Sequence, residues 1–223
     1  MVSSFLLSDL PNDKTRAVTI NTLWNHCNDT LVLIDRGTPD GFKYTAHARA
    51  QFLKENEHSP NSVHIISPCP HDKPCPMLNN KSWCHFSQKV HRGPSLIKIK
   101  GCKTNHEDIK YSFVILRRGK RPDTSLSQTI SESEIRNEAF SWSRINAPPL
   151  KRTGHVILDT CSESGQLERV TVSKSMGNVA FKSARKSKWG DLWPYDKTIG
   201  RFTVKISKDS RSKITDEHEK DWD

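Results

Sequence analysis

The sequence has no apolar run near the roughly 18 residues of a membrane span, and no membrane segment is read in it. It also lacks a Gly-x-Gly-x-x-Gly turn, so no phosphate cradle for a dinucleotide or nucleoside is legible. Residues 1–10 (MVSSFLLSDL) are apolar but carry neither a basic flank nor a cleavage site, which excludes a secretory signal. Nor do they form an Arg-rich amphipathic leader; they read as a buried strand. Six cysteines in 223 residues are too sparse for a disulfide scaffold, so reduced thiols or metal thiolates are expected. Hydrophobic residues make up 34%, a thin core for this length, and part of the surface is expected to lie on a partner. No internal repeat is visible.

Positive charge is in excess. Lysine and arginine number 35 against 25 carboxylates, for a formal net charge of +10. A surplus of that size favours a polyanion, nucleic acid first, over a basic protein with no such partner.

The order of patterns is α/β. Residues 3–7 read as a strand ending at Ser8-Asp9-Leu10-Pro11. A helix follows over 13–27, with Ala17, Ile20, Leu23 and Trp24 at helical spacing. Leu31–Ile34 is a continuous apolar run, the mark of a strand buried on both faces. Residues 44–56 predict a second helix, 62–68 a strand that delivers Cys69, and 108–119 a further strand. Gly37 and Gly41 read as turn glycines. Asp9 and Asp35 each follow a strand, where α/β enzymes place working residues, but neither is assigned chemistry. Ser62–His64 and Ser87–His91 are accidents of composition. Four regions follow: a partial α/β domain over 1–120 with a cysteine-rich insertion at 68–102, a polar linker with a short helix at 121–140, a β-rich module at 141–206, and a charged tail at 207–223. The module's strands are expected at 154–161, 167–175 and 201–207.

Cys69, Cys75 and Cys84 lie in one proline-rich stretch, "SPCPHDKPCPMLNNKSWCHFSQ", and Cys161 lies far downstream in "GHVILDTCSESG". The spacing is C-x5-C-x8-C, then 76 intervening residues. Neither close pair fits the C-x2-4-C knuckle of a zinc ribbon. A C-x5-C loop stiffened by Pro68, Pro70, Pro74 and Pro76 can wrap a larger object, and thiolates are the usual ligands of iron–sulfur clusters. Three readings stand at this point: buried free thiols, zinc with His71 or His85 replacing a cysteine, and a cluster. His71 and His85 on their own read as loop or surface residues. Cys27 reads as a small apolar residue, and Cys102 as the rival fourth ligand.

Two stretches carry most of the cations. Residues 89–121 hold ten lysines and arginines, including Arg117, Arg118 and Lys120, and 181–213 hold ten more, including Arg185, Lys186 and Lys188. In "ARKSKWGDLWP" Trp189 and Trp193 stand beside the cations. They read either as platforms for unpaired bases or as core residues. Asp191 reads as the holder of a tight turn.

"CPHDKPCPM", "WCHFSQ", "YSFVILRRG", "PPLKRTGHVILDTC" and "ARKSKWGDLWP" closely resemble the mitochondrial small-ribosomal-subunit, methyltransferase-like family, over most of residues 1–206. The resemblance implies an assembly factor or associated protein of the mitochondrial small ribosomal subunit, bound to its RNA. It implies the C-terminal half of a Rossmann-like class I methyltransferase fold, with the cysteine-rich metal-binding insertion and the β module. It implies a 4Fe–4S cluster on Cys69, Cys75, Cys84 and Cys161, which favours Cys161 over Cys102. Arg117, Arg118, Lys120, Arg185, Lys186, Lys188, Trp189 and Trp193 would face RNA. The family's domain begins well before residue 3 and keeps its Gly-rich donor loop there. The chain is therefore expected to be a C-terminal portion, with S-adenosylmethionine bound only if the earlier half is present, and the absent leader is explained alike. The alternatives are an rRNA methyltransferase whose donor half is elsewhere and a zinc-stabilised RNA-binding protein. Neither a membrane nor a homo-oligomer is indicated.

Overall fold

Two sheets, each with its own core, meet along the cysteine-bearing loop. A computed structural model describes residues 1–56, 62–78, 80–122, 135, 137–195 and the backbone of 203–205. The first sheet contains β1 (Val2–Ser4), β2 (Thr30–Arg36), β3 (Val63–Ser67), β4 (Phe86–His91) and β5 (His106–Arg118). Its order is β1-β2-β5-β3, with β4 paired to the first half of β5. β1 and β2 are parallel, and β5 runs antiparallel to both β2 and β3. Helices α1 (Asp13–Asn25) and α2 (Pro39–Glu55) link β1 to β2 and β2 to β3. Such connections suit parallel strands, which a tight turn cannot join.

Both helices cover one face. Leu31, Leu33, Val63, Ile65, Val114 and Leu116 share that face with Ile20 and Trp24 of α1 and Ala48 and Phe52 of α2. Val32 and Ile34 point the other way and are half-buried. The apolar run in β2 is therefore buried fully on one face only, which corrects the two-face expectation. Cys27 sits in this core, as an apolar residue would.

The first strand is also shorter than expected. Phe5 takes a left-handed φ of 59° and ends it. A 3-10 turn over Leu7–Asp9 follows. Asp35, buried at the end of β2, draws that turn in: it accepts hydrogen bonds from the Ser8 N–H (2.9 Å), the Ser8 hydroxyl and the Arg36 N–H. Its role in the fold is to satisfy these donors. β1 has an exposed face rather than a buried one, with Val2 67% accessible.

α2 starts five residues before the predicted helix. Thr38 caps it by accepting from the Gly41 N–H at 3.2 Å, and Pro39 fills its first turn. Gly41 thus lies inside a helix, not in a free turn. A Cβ there would lie 2.1 Å from the Arg36 carbonyl oxygen, and one on Gly37 would lie 2.6 Å from Lys110. Both glycines allow the end of β2 to pass close to its neighbours.

The 68–102 insertion forms β4 and α3 (Pro94–Lys100), which the periodicity did not reveal. The second sheet comprises β6 (Ser143–Ile145), β7 (Leu150–Lys151), β8 (His155–Cys161), β9 (Leu167–Ser173), β10 (Leu192–Trp193) and β11 (Thr203–Lys205), all antiparallel. Its order is β10-β6-β8-β9-β11, with β7 beside β8. Helix α4 (Asn178–Lys186) packs on it through Ala180, Phe181 and Ala184. The expected module is therefore β-rich but carries a helix. The predicted tail, and most of the predicted linker, lie outside the described residues. Among the described residues no helix is long and apolar enough to cross a membrane.

Alanine is about 1 kcal/mol better than glycine within a helix, yet Gly41→Ala is expected to destabilise the protein by about 1–3 kcal/mol, the scale of overpacking. Urea denaturation measures this. A gain in stability would contradict the close passage at Arg36.

Candidate metal centre

Three segments deliver four thiols to one place. Cys69 follows β3, Cys75 lies in the proline-rich loop, Cys84 precedes β4, and Cys161 ends β8. All four line a single pocket with about 530 Å³ of space between its atoms, including its open mouth. Phe42, Met77 and Phe113 supply apolar walls, and Arg49 and Arg144 supply the charge. No carboxylate lines it. Cys102, the rival ligand, is elsewhere, capping the end of α3 through its N–H to the Ile97 carbonyl at 3.0 Å. None of the six cysteines is in a disulfide.

The loop has little regular structure, so its carbonyls need partners. Three guanidiniums provide them. Arg49, on the buried face of α2, donates to the carbonyls of His71 (2.8 Å) and Lys73 (2.7 Å). Arg121, just past β5, donates to Ile65 (2.8 Å) and Cys69 (3.4 Å) and forms an ion pair with Asp72 at 3.0 Å. Arg144, on β6, donates to Pro68 (3.0 Å), to the Ser67 hydroxyl (3.3 Å) and to Gly190 (2.7 Å). Asp72 also accepts from the Ile65 N–H at 2.9 Å. The Trp83 indole ties the loop to the Gly37 carbonyl at 2.8 Å.

Two of the thiols are crowded and desolvated. Burial, then the nearby Cys69, pushes Cys75 up to about 11. The backbone of Met77 and then the Arg49 charge pull it the other way. Burial, then the other three cysteines, raises Cys161 well above the ordinary thiol range. Arg144 is lowered by burial, with Cys69 and Cys84 opposing. Four thiolates here therefore need a central cation, which deprotonates bound thiols outright.

His71 is buried, contrary to the surface reading, and burial followed by Arg49 lowers it to about 4. Its Nδ1 lies 3.1 Å from the Lys73 carbonyl, which places the ring proton there. Nε2 is then the acceptor for the Cys161 thiol, 3.4 Å away. His85 is half-buried, stacked on Trp83 and edge-on to Trp189. Among the described residues, no three His, Cys, Asp or Glu converge closely enough to hold one metal ion. The donor set itself, four soft sulfur ligands with guanidiniums in the wall, fits an iron–sulfur cluster.

The residues expected to face RNA divide. Lys120, Arg185, Lys186 and Lys188 are exposed, and Arg117 is exposed in a 3.1 Å ion pair with Asp29. Thr30 and then Arg117 hold the Asp29 carboxyl below its usual range. Arg118 is a correction. It lies 4.3 Å over the Trp24 ring and donates to the Trp24 and Cys27 carbonyls, closing the turn after α1. Trp193 is a second: only 5% accessible, it belongs to the core of the second sheet, its ring on Tyr195. Trp189 is half-buried, with its ring edge-on to His85 and tilted against Phe86. Asp191 does hold the 188–191 turn, accepting from the Lys188 N–H at 2.8 Å.

Sequence reasoning missed Arg49, Arg121 and Arg144. A signal existed for Arg49: it falls on the apolar stripe Phe42, Ala46, Arg49, Phe52, where a charge needs a buried partner. Replacing Arg144 by Met leaves the Pro68 and Gly190 carbonyls without their donor. The expected loss is about 2–5 kcal/mol, against about 0–1 kcal/mol for Arg117→Met at the exposed pair. Urea denaturation of both variants in the same metal state measures the difference, and equal effects would remove the loop-holding role.

Comparison with known proteins bears on the same segments. A family model described as mitochondrial small ribosomal subunit Rsm22 matches residues 1–194. The human mitochondrial ribosome assembly protein METTL17 is 36% identical over 198 residues, covering 87% of this chain and 39% of that protein. The fission yeast Rsm22-cox11 tandem protein 2 (Schizosaccharomyces pombe) is 32% identical over 217 residues, covering 88% and 29%. The mitochondrial ribosome assembly protein RSM22 of Saccharomyces cerevisiae is 26% identical over 244 residues, covering 73% and 38%. The chain thus spans between 29% and 39% of the length of these relatives. All of them are mitochondrial proteins, in agreement with the mitochondrial location expected here. With its cysteine-bearing segments inside the matched 194 residues, the chain belongs to the mitochondrial small ribosomal subunit Rsm22 family.

Proposed function

We propose that this chain takes part in assembling the mitochondrial small ribosomal subunit, binds its RNA through basic surfaces, and carries a structural 4Fe–4S cluster on Cys69, Cys75, Cys84 and Cys161. One observation carries the metal reading: four thiols from both halves of the chain line one carboxylate-free pocket without closing to the size of a single ion. The names of the relatives support the assembly role. Parallel β1 and β2 with their helices, and antiparallel β5, support reading residues 1–120 as part of a Rossmann-like methyltransferase fold and 141–206 as a separate module.

When bound, the cluster would cross-link the 69–84 segment to β8. The protein's own residues do the positioning. Arg49, Arg121 and Arg144 hold the loop carbonyls that flank the cysteines. Hydrogen bonds of this kind hold a ligand in place and tune the centre it binds.

Anaerobic purification followed by iron, sulfide and zinc analysis tests the centre. Iron and sulfide in equal amounts are expected, with visible absorption that Cys69→Ser or Cys161→Ser abolishes. Both variants should also lose thermal stability and affinity for small-subunit RNA. Zinc alone would overturn the iron assignment. Full RNA affinity in the metal-free variants would sink the structural role.

A further inference from the structure

Beyond the metal pocket, one element has no structural reason for its composition. β4 and the first half of β5 form a two-stranded arm that leaves the first sheet, with α3 and residues 101–105 between the strands. Of β4 only Phe86 is buried, and no residue of α3 is. A hairpin with solvent on both faces is marginal by itself. The arm also exposes Val90 (39%), Leu96 (38%) and Ile99 (82%).

Its charge is organised. Residues 86–111 hold six lysines and arginines against two carboxylates, Glu107 and Asp108. Arg92 takes Glu107 at 2.7 Å. Lys89, Lys98, Lys100, Lys103 and Lys110 are exposed and form no ion pair with a described residue. The register sorts the strand residues by face. Ser87–Lys110, Lys89–Asp108 and His91–His106 share one side, while Phe86–Tyr111, Gln88–Ile109 and Val90–Glu107 share the other. That first face carries Lys89 and Lys110, with Asp108 opposite Lys89, and three more lysines lie in and after α3.

We propose that the β4–α3–β5 arm grips the phosphate backbone of double-stranded RNA. The assignment rests on the RNA-binding reading above, and it names the element and the form of RNA. Lysine is depleted in protein–protein interfaces, where Arg and aromatic anchors prevail, yet five of the six cations here are lysines. An anionic membrane reaches the tip of an arm, not its root. Lys110 stands four strand residues from His106, about 14 Å back at strand rise, beyond the roughly 8 Å Debye length at physiological salt. A polyanion lying along the arm reaches both its root, at Lys110, and its tip. The arm has no free Phe, Tyr or Trp ring on which unpaired bases could stack, and its two histidines, His91 and His106, stand opposite each other at the tip. Phe86 is buried, and Tyr111 packs on Phe86 and Phe113. Duplex RNA, recognised through its shape and phosphates, needs no such platform.

The test uses the full chain with its metal content measured. The variant Lys89→Gln/Lys98→Gln/Lys100→Gln/Lys103→Gln/Lys110→Gln alters exposed side chains only, and circular dichroism checks that it folds. The control replaces as many lysines elsewhere: Lys14, Lys43, Lys54, Lys151 and Lys174, all exposed. Probes are an RNA duplex of about 16 base pairs, the length a duplex-binding domain spans, one of its single strands, and phosphatidylserine-containing vesicles. The arm variant is expected to bind the duplex at least about ten-fold more weakly. Its log–log salt slope should shrink by about 2 or more, at about 0.7–0.9 for each phosphate no longer neutralised. The control should lose less on both measures. Equal losses in arm and control variants would reduce the effect to net charge and overturn the arm. Tighter binding to the single strand would overturn the duplex assignment. Losses confined to vesicle binding would replace RNA by lipid. If the unsubstituted chain binds no RNA at low salt, the RNA-binding reading itself fails. If it binds and the arm variant matches it, only the arm assignment fails.

Discussion

The structure depends on three guanidiniums, one buried and two half-buried, holding one irregular loop. Residues 68–73, just past β3, lie in no strand or helix that could satisfy their carbonyls, and an unpaired buried carbonyl costs about 1–3 kcal/mol. Arg49 reaches them from α2, Arg121 from the end of β5 and Arg144 from β6. The three come from different elements on either side of the 123–134 segment. The loop is therefore where the two sheets are joined. The β8–β9 turn leans on the same place, with Gly165 in a left-handed conformation against Lys73 and His71. Cysteines at this junction are held within a shared frame before any metal arrives.

That frame has an electrostatic logic. Four thiols in a desolvated pocket repel one another as thiolates, and burial raises Cys75 and Cys161 further. Arg49 and Arg144 stand at the wall of the same pocket. They favour negative charge on the sulfurs and disfavour a bare cation. Any dipositive core held by four thiolates carries a net charge of −2, which a wall with two guanidiniums suits. No carboxylate in the pocket wall offers the alternative.

How much of this was legible follows from the kind of signal each part leaves. Four cysteines leave a signal that survives any fold, and the set Cys69, Cys75, Cys84 and Cys161 did come together. β2 and β8 announce themselves through uninterrupted apolar runs. α4 did not, because Ala180, Phe181 and Ala184 sit among lysines and arginines, and the charge masks the stripe. β4 and α3 have almost no buried face, so no periodicity exists to read. Trp193 misled for the opposite reason. It neighbours cations in sequence, yet the chain past the 188–191 turn carries its ring inward. Neighbouring positions in a turn share no common face, so sequence adjacency could not place ring and charge on one surface.

The metal pocket and the basic surfaces are mechanically continuous. Cys84 stands two residues before Phe86, where the arm begins, and its carbonyl accepts the Ser112 hydroxyl of β5 at 2.9 Å. Phe86 in turn packs on Trp189 and against Gly190, where an added Cβ would lie only 3.2 Å from the Phe86 ring. Arg144 ties the Gly190 carbonyl back to the carbonyl of Pro68, beside Cys69. One ligand thus roots the arm, and the guanidinium next to another ligand roots the turn that bears Lys188. Charge on a mobile segment contributes little to binding, because ordering it opposes the gain. A centre bound by Cys69 and Cys84 would remove that opposition at both surfaces together, without either surface touching the metal.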